Sequence, residues 1–212
     1  MSEDDFHLFE TMRHEPLQGI LHRRLHLARL KRSAGRLGFA GADAAEAFLS
    51  AREADLPADG PSRLRLSLKR DGSLALTHAP FVAHPPGTLW RLRIAATRAD
   101  SRDRLLRHKV SRRGLYEAAR AEFTPEEADE VLLLNEAGLP CEGTITSLFL
   151  DDGTGILKTP PIGNGLLAGV LRTHLICSRR ARVTRLTLDE LKAGRIFMGN
   201  SLRGLIPAIL VG

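Results

Sequence analysis

The stretch SRLRLSLKRDGSLALTHAP, residues 62–80, constrains the fold of this 212-residue chain more than any other. Polar and apolar residues alternate on both sides of Asp71-Gly72, the period of two that sends successive side chains to opposite faces of a strand. Asp-Gly supplies the positive φ that a tight hairpin turn needs. A lone hairpin is marginal in water, so its apolar face must be covered. The preceding sequence offers the covers. LHRRLHLARLKRSAGRLGF (21–39) reads as a helix with Leu27, Leu30, Ala34 and Leu37 as its apolar stripe and Gly38 as its stop. DAAEAFLSAREA (43–54) begins a second helix, with Asp43 as cap and Glu46 completing a capping box. FHLFETMR (6–13) reads as a further strand.

Prolines and a glycine in HAPFVAHPPGTL cannot continue a ladder, which places a linker near 80–88. The expected organisation is a small α+β domain over 1–85 and a larger domain over 86–212. In the second, WRLRIAATR (90–98) resumes as a strand and RRGLYEAARAEF (112–123) as a helix. TPEE begins a short turn with Thr124 as cap and Pro125 at its first position. EVLLLN reads as a buried strand, EAGL as a turn, CEGTITSLFL as one partner strand and ILKTP as a short segment after DDGTG. LLAGVLRTHLICSRR (166–180) reads as a helix, and Thr187 with Glu190 forms a capping box closed by Gly194. RIFMGNSLRGLIPAIL begins as a strand, breaks at Gly199-Asn200 and resumes. The fold class is α+β, with a strand-rich second domain.

Apolar content of 43% and charged content of 26% describe an ordinary globular chain. No apolar run is long enough to span a bilayer, and the acidic start, MSEDDFHLFE, has neither a basic nor an apolar leader region. The expected location is the cytoplasm, with no membrane partner. The net charge of +6 favours anionic ligands, but aromatics make up only 5% and form no strip beside basic residues, so no nucleic-acid partner is expected. Cys141 and Cys177 lack metal-site spacing, no metal is expected, and each reads as a small buried or half-buried side chain.

Arginine is abundant and lysine rare: the lysines are Lys31, Lys69, Lys109, Lys158 and Lys192. Lys109 stands among arginines in RHKVSRRGLYEAAR (107–120), where an amine that can lose its proton differs from a guanidinium that cannot. Three other places suit neither plain core nor plain surface. Glu142 is a carboxylate inside an apolar hairpin. In GNGLLAGVLR a glycine-rich turn precedes a helix, so Gly169 and Val170 offer backbone N–H groups. In MGNSLRG, Asn200 and Ser201 interrupt a strand.

In order along the chain, LFETMR with HLARLKRSAGRLGF, RHKVSRRGLYEAAR, DEVLLLNEAGLPCEGTITSLFL with LKTPPIGNGLLAGVLR, and MGNSLRGLIPA resemble the class IV aminotransferases. These are fold type IV pyridoxal-phosphate enzymes and include branched-chain aminotransferases, D-amino acid transaminases and aminodeoxychorismate lyases. The resemblance implies a two-domain fold type IV architecture with Lys109, in the C-terminal domain, holding pyridoxal 5'-phosphate and shuttling protons. It implies that Glu142 pairs with the pyridine nitrogen, and that Arg29 clamps the phosphate. Gly169 and the N–H groups of Val170 and Leu171 would cradle the same phosphate, with Asn200, Ser201 and Leu202 closing from the last turn. Arg13, Thr11 and Arg107 are the substrate candidates. Ser147 stands where the family signature has Asn, and Val110 where it has Thr.

Within the family, LFETMR next to HEP, GNGLLAGVLR and NSLRGLIPA look most like aminodeoxychorismate lyases. The implied reaction releases pyruvate and 4-aminobenzoate from 4-amino-4-deoxychorismate for folate synthesis. The alternatives are an aminotransferase acting on branched-chain or D-amino acids, and a homologue that has lost catalysis. The resemblance also implies a small substrate with carboxylates, a homodimer and functional association with aminodeoxychorismate synthase.

Overall fold

A computed structural model describes residues 6–212, and the acidic residues 1–5 lie outside the described part. The chain divides into two compact units. One takes the chain as far as Ala83 together with His108–Arg112, and the other takes His84–Arg107 and Arg113–Gly212.

The first unit contains β1 (Leu8–Glu15), β2 (Gly19–Ile20), helices α1 (Arg23–Leu37) and α2 (Ala45–Glu53), and strands β3 (Ser62–Leu68) and β4 (Leu74–Pro80). Its sheet has the order β2-β1-β3-β4. The expected hairpin is β3–β4, paired from Ser62↔Pro80 to Leu68↔Leu74. Leu64, Leu66 and Leu68 of β3 join Leu8 and Met12 of β1 under the predicted α1 stripe of Leu27, Leu30 and Ala34. Gly38 ends α1 in the left-handed conformation, at φ 71°.

Two local expectations are corrected here. A single 3₁₀ turn fills Ala42–Ala44, so α2 starts at Ala45 without a side-chain cap. Asp43 instead pairs with Lys31 at 3.1 Å. The second correction concerns the domain boundary and Lys109. The segment His108–Arg112 folds with the first unit because its backbone zips onto the start of β1: Phe9 N–H donates to Lys109 O at 3.1 Å and Ser111 N–H to His7 O at 2.9 Å. Val110 bridges to Leu8 and is buried in the same core.

The second unit contains β5 (Trp90–Ala99), α3 (Gly114–Ala121), β6 (Glu130–Asn135), β7 (Pro140–Gly143), β8 (Ser147–Asp151), β9 (Leu157–Thr159), α4 (Val170–Cys177), β10 (Ala181–Val183), α5 (Leu188–Ala193), β11 (Arg195–Asn200) and β12 (Gly204–Leu210). Its sheet runs β10-β9-β8-β11-β12-β5-β6-β7, and an additional β7–β8 pairing closes the stretch from β8 to β7 into a ring. Closure removes the exposed edges that a twisted sheet otherwise leaves. The core holds Trp90, Leu92, Leu132, Leu148, Ile196 and Met198. The capping box of Thr187 and Glu190 forms as expected.

Three expectations change. CEGTITSLFL is two strands, β7 and β8, separated by a tight turn. The helix expected from 166 begins at Val170, because the stretch before it does not coil and Gly169 is its N-cap, with φ −58° and ψ 146°. Cys177 is exposed, whereas Cys141 is buried. Among the described residues, no helix is long and apolar enough to cross a membrane.

Candidate functional site

The predicted residues fall into two groups, one in each unit. In the second unit, strand register assembles the group. Glu142 on β7 pairs with Ser147 on β8, and Ser147 pairs with Gly199 on β11, one residue before Asn200. The start of α4 meets this row at Ser147: a Cβ on Gly169 would lie 2.5 Å from Ser147 Oγ, so the two approach closely and a larger residue would have to turn the serine hydroxyl aside. Leu171 packs with Phe197 of β11 and Leu205 of β12. Sequence-distant segments thus carry Glu142, Gly169, Val170, Leu171 and Asn200 to one end of the sheet.

Glu142 is 6% exposed. Its Oε1 accepts the hydroxyl of Tyr116 on α3 at 2.8 Å and the N–H of Leu167 at 3.0 Å. Burial, the adjacent Glu142 charge and this hydrogen bond push the Tyr116 hydroxyl well above its usual pKa, so it stays protonated and donates. Arg172, in the first turn of α4, is also buried and gives Nη2 to Pro160 O at 2.8 Å. Burial lowers its pKa, and the charge of Glu142 offsets part of that.

Helix α4 has no side-chain cap. Its first turn closes with Thr173 N–H to Gly169 O at 2.9 Å, so the N–H groups of Val170 and Leu171 precede the helical ladder. Beside it, the β11–β12 turn holds Asn200, Ser201 and Leu202. Asn200 Oδ1 accepts the N–H groups of Leu202 at 3.1 Å and Arg203 at 2.9 Å, while its Nδ2 donates to Ile145 O at 3.1 Å. The Asn200 side chain is therefore a strut between two turns, and the Leu202 N–H is spent inside its own turn.

In the first unit, Lys109 is half-buried, with Nζ 4.5 Å from the centroid of the Phe9 ring. Arg29 is buried and gives Nε and Nη2 to Glu10 at 2.8 and 2.5 Å. The other Glu10 partner is His26 Nδ1 at 2.6 Å. Burial would raise the Glu10 pKa, but Arg29 and His26 outweigh it and hold it at about 2. Burial holds His26 below its usual range, helped by Arg29 and Lys109. His26 is thus neutral, with Nδ1–H donating to the carboxylate and Nε2 buried without a partner.

Thr11 and Arg13 share the other face of β1 with Phe9. Arg13 pairs with Glu15 and lies 4.8 Å from the Phe81 ring. Arg107 is exposed, in the second unit.

Glu10, His26 and Tyr116 were not singled out from sequence. Glu10 is a carboxylate in phase with Leu8 and Met12, His26 lies one turn before Arg29 on the same helix face, and Tyr116 is the chain's one tyrosine. Those were the available signals.

A ring with a protonatable nitrogen and a phosphate tail fits the second unit's donor set. A buried carboxylate suits the ring nitrogen, and an uncapped helix start suits the phosphate.

The sequence profile of amino-transferase class IV matches residues 7–211. Among curated sequences no relative matches. Among solved structures, a Mesorhizobium loti protein provisionally described as an amino-acid aminotransferase is 48% identical, with 98% of this chain and 100% of that one covered and a TM-score of 0.91. The 4-amino-4-deoxychorismate lyase from Pseudomonas aeruginosa is 25% identical, with 96% and 82% covered and a TM-score of 0.79. A branched-chain aminotransferase from the archaeon Thermoproteus uzoniensis, at 22% identity, 98% and 78% coverage and a TM-score of 0.81, shares the fold. The chain belongs to the class IV aminotransferases, a family dependent on pyridoxal phosphate.

Proposed function

We propose that the protein is a 4-amino-4-deoxychorismate lyase, active in the cytoplasm in folate synthesis. The observation that carries this reading is the cationic face of the first sheet. Residues directly opposite in an antiparallel pair share a face. Thr11 faces Arg65 and Arg13 faces Arg63 across β1 and β3, on the side that carries Phe9. The Arg65 guanidinium carbon lies 3.8 Å from the centroid of the Phe9 ring, the same ring that Lys109 Nζ approaches. A substrate with two carboxylates matches a face of arginines and one lysine.

Bound pyridoxal phosphate supplies an electron sink. Lys109 would supply the amine that holds the cofactor and, when not bound to it, a base for proton transfer. Glu142 keeps the proton on the ring nitrogen, with Tyr116 and the Leu167 N–H fixing its carboxylate. The N–H groups of Val170 and Leu171, Ser201 and Arg29 are the phosphate contacts of this reading. Lys109 takes the proton from the carbon bearing the substrate amine, the C–O bond to the enolpyruvyl group breaks, and that group leaves and is protonated to pyruvate. The ring left behind is aromatic, which makes the step downhill. Homodimerisation and association with aminodeoxychorismate synthase belong to the same proposal.

A second reading is an aminotransferase, favoured by the description of the 48% identical Mesorhizobium loti protein. The two readings differ in stoichiometry. Incubation with 4-amino-4-deoxychorismate and no 2-oxo acid is expected to release equal amounts of 4-aminobenzoate and pyruvate, and Lys109→Ala is expected to release neither. Absence of 4-aminobenzoate, with amino transfer from an amino acid to a 2-oxo acid, would replace the first reading by the second.

A further inference from the structure

The turn between β7 and β8 separates Glu142 from Ser147, and its polar groups converge on one side chain. Glu130, the first residue of β6, is 1% exposed. Its Oε1 accepts the N–H and the hydroxyl of Thr144 at 3.0 and 2.6 Å, and the N–H of Val131 at 2.9 Å. Its Oε2 accepts the Ile145 N–H at 3.2 Å and the Thr146 hydroxyl at 2.7 Å. The turn's carbonyls are held as well. Thr144 O accepts Arg113 Nη2 at 2.5 Å, Ile145 O accepts Asn200 Nδ2 at 3.1 Å, and Thr146 O accepts the Gly143 N–H at 2.8 Å. A Cβ on Gly143 would lie 2.5 Å from Thr146 Oγ1 and 2.8 Å from the Glu130 carboxyl, so a side chain at 143 would push into the clamp.

All five donors point at oxygens that only accept, so a carboxylate is the group the turn is built around. None of these contacts touches Glu142 directly. They set the path of the backbone on which it stands, since Glu142 is one residue before Gly143 and pairs with Ser147 just beyond the turn. Ser147 in turn sets how closely Gly169 and the start of α4 approach. We propose that Glu130 is a positioning residue: by clamping the 143–146 turn it aims the Glu142 carboxylate and places Ser147 against the start of α4. This rests on the reading that Glu142 meets the cofactor ring.

The test uses the full chain with Glu130→Gln, which keeps size but sets an amide NH₂ against the donors of the turn, and Thr146→Val, which removes one hydroxyl and leaves the carboxylate. Three quantities are measured on each: pyridoxal phosphate affinity by equilibrium dialysis, the visible absorbance of the bound cofactor across pH, and the urea unfolding midpoint. Glu130→Gln is expected to weaken cofactor binding roughly tenfold, a loss typical of groups that orient a contacting residue. It is also expected to move the pH midpoint of the visible band. Thr146→Val is expected to move both in the same direction by less, and carries the test if Glu130→Gln does not fold. Variants with wild-type affinity and band, whatever their urea midpoint, would overturn the positioning role and leave Glu130 a purely structural residue. Wild-type protein that takes up no pyridoxal phosphate would instead remove the reading of Glu142, and the positioning role with it.

Discussion

Each unit buries a glutamate beside the residues proposed for chemistry, and the two are held by opposite means. Glu10, in the first unit, receives a bidentate guanidinium from Arg29 and the ring N–H of His26. Glu142, in the second, receives a phenol hydroxyl and a backbone N–H. The first arrangement neutralises a carboxylate inside the protein and, in doing so, fixes the arginine. The second fixes the direction of a carboxylate with a hydroxyl and a peptide N–H, and its charge suits a cation such as a protonated ring nitrogen. One is a device for holding Arg29 still, and the other is a device for presenting a charge.

The largest effect expected from this difference is on stability. Glu10→Gln removes the charge that two Arg29 nitrogens meet, in a site 1% exposed. Breaking a buried ion pair by removing one partner costs about 3–5 kcal/mol, so urea unfolding should shift by that order. Glu142→Gln keeps an acceptor for the Tyr116 hydroxyl and the Leu167 N–H and is expected to cost about 1 kcal/mol. Its effect should appear in turnover, by roughly 100-fold or more, because an amide cannot hold the ring proton. Equal destabilisation by the two substitutions would erase the distinction.

Acid should separate the units next. Glu10 is held at about 2 against an ordinary 4.5, so the stability it contributes is present above pH 4.5 and is lost as pH falls toward 2. The size is about 3 kcal/mol. His26 is held below its ordinary 6.5 and is buried neutral, so unfolding takes up a proton below that pH and stability falls there too. Both contributions have the same sign. The unfolding free energy is expected to decline gently below pH 6.5 and more steeply below 4.5. Glu10→Gln should flatten the lower segment. A lower segment that survives in this variant would assign acid sensitivity to carboxylates other than Glu10.

Much of the framework behind this comparison is legible in the sequence, for identifiable reasons. The β3–β4 hairpin is written in a strict period of two around Asp71-Gly72, and α1 in a stripe ending at a left-handed glycine. Glu142, Gly169 and Asn200 stand out because each breaks the pattern of its own segment. What is not legible depends on partners far along the chain. Tyr116 and Glu142 are 26 residues apart, Glu10 and Arg29 are 19, and Glu130 reaches Thr146 across 16. No local period records such pairs. CEGTITSLFL reads as one strand because the partner of its central turn, the carboxylate of Glu130, lies outside it in the sequence. Asn200 reads as a cofactor contact, while its amide is used to tie two turns together. Lys109 reads as part of the C-terminal domain because the backbone bonds that tie its segment to β1 join residues about 100 positions apart.

The smallest expected effect bears on how Glu142 is held. Tyr116→Phe keeps the ring, which packs against the core of Ala95, Ala119 and Val131, and removes only the hydroxyl. Losing one neutral hydrogen bond should cost about 1 kcal/mol in urea unfolding. The Leu167 N–H remains on the same Oε1, so the carboxylate keeps one anchor. With the carboxylate less firmly aimed, the pH dependence of the cofactor's visible band should shift, and pyridoxal phosphate affinity should fall by a few-fold, on the order of the 1 kcal/mol lost. A shifted band would make Tyr116 part of the device that presents the charge. An unmoved band, with the stability loss alone, would remove the Tyr116 hydroxyl from the device that presents the charge and leave it a packing contact of α3.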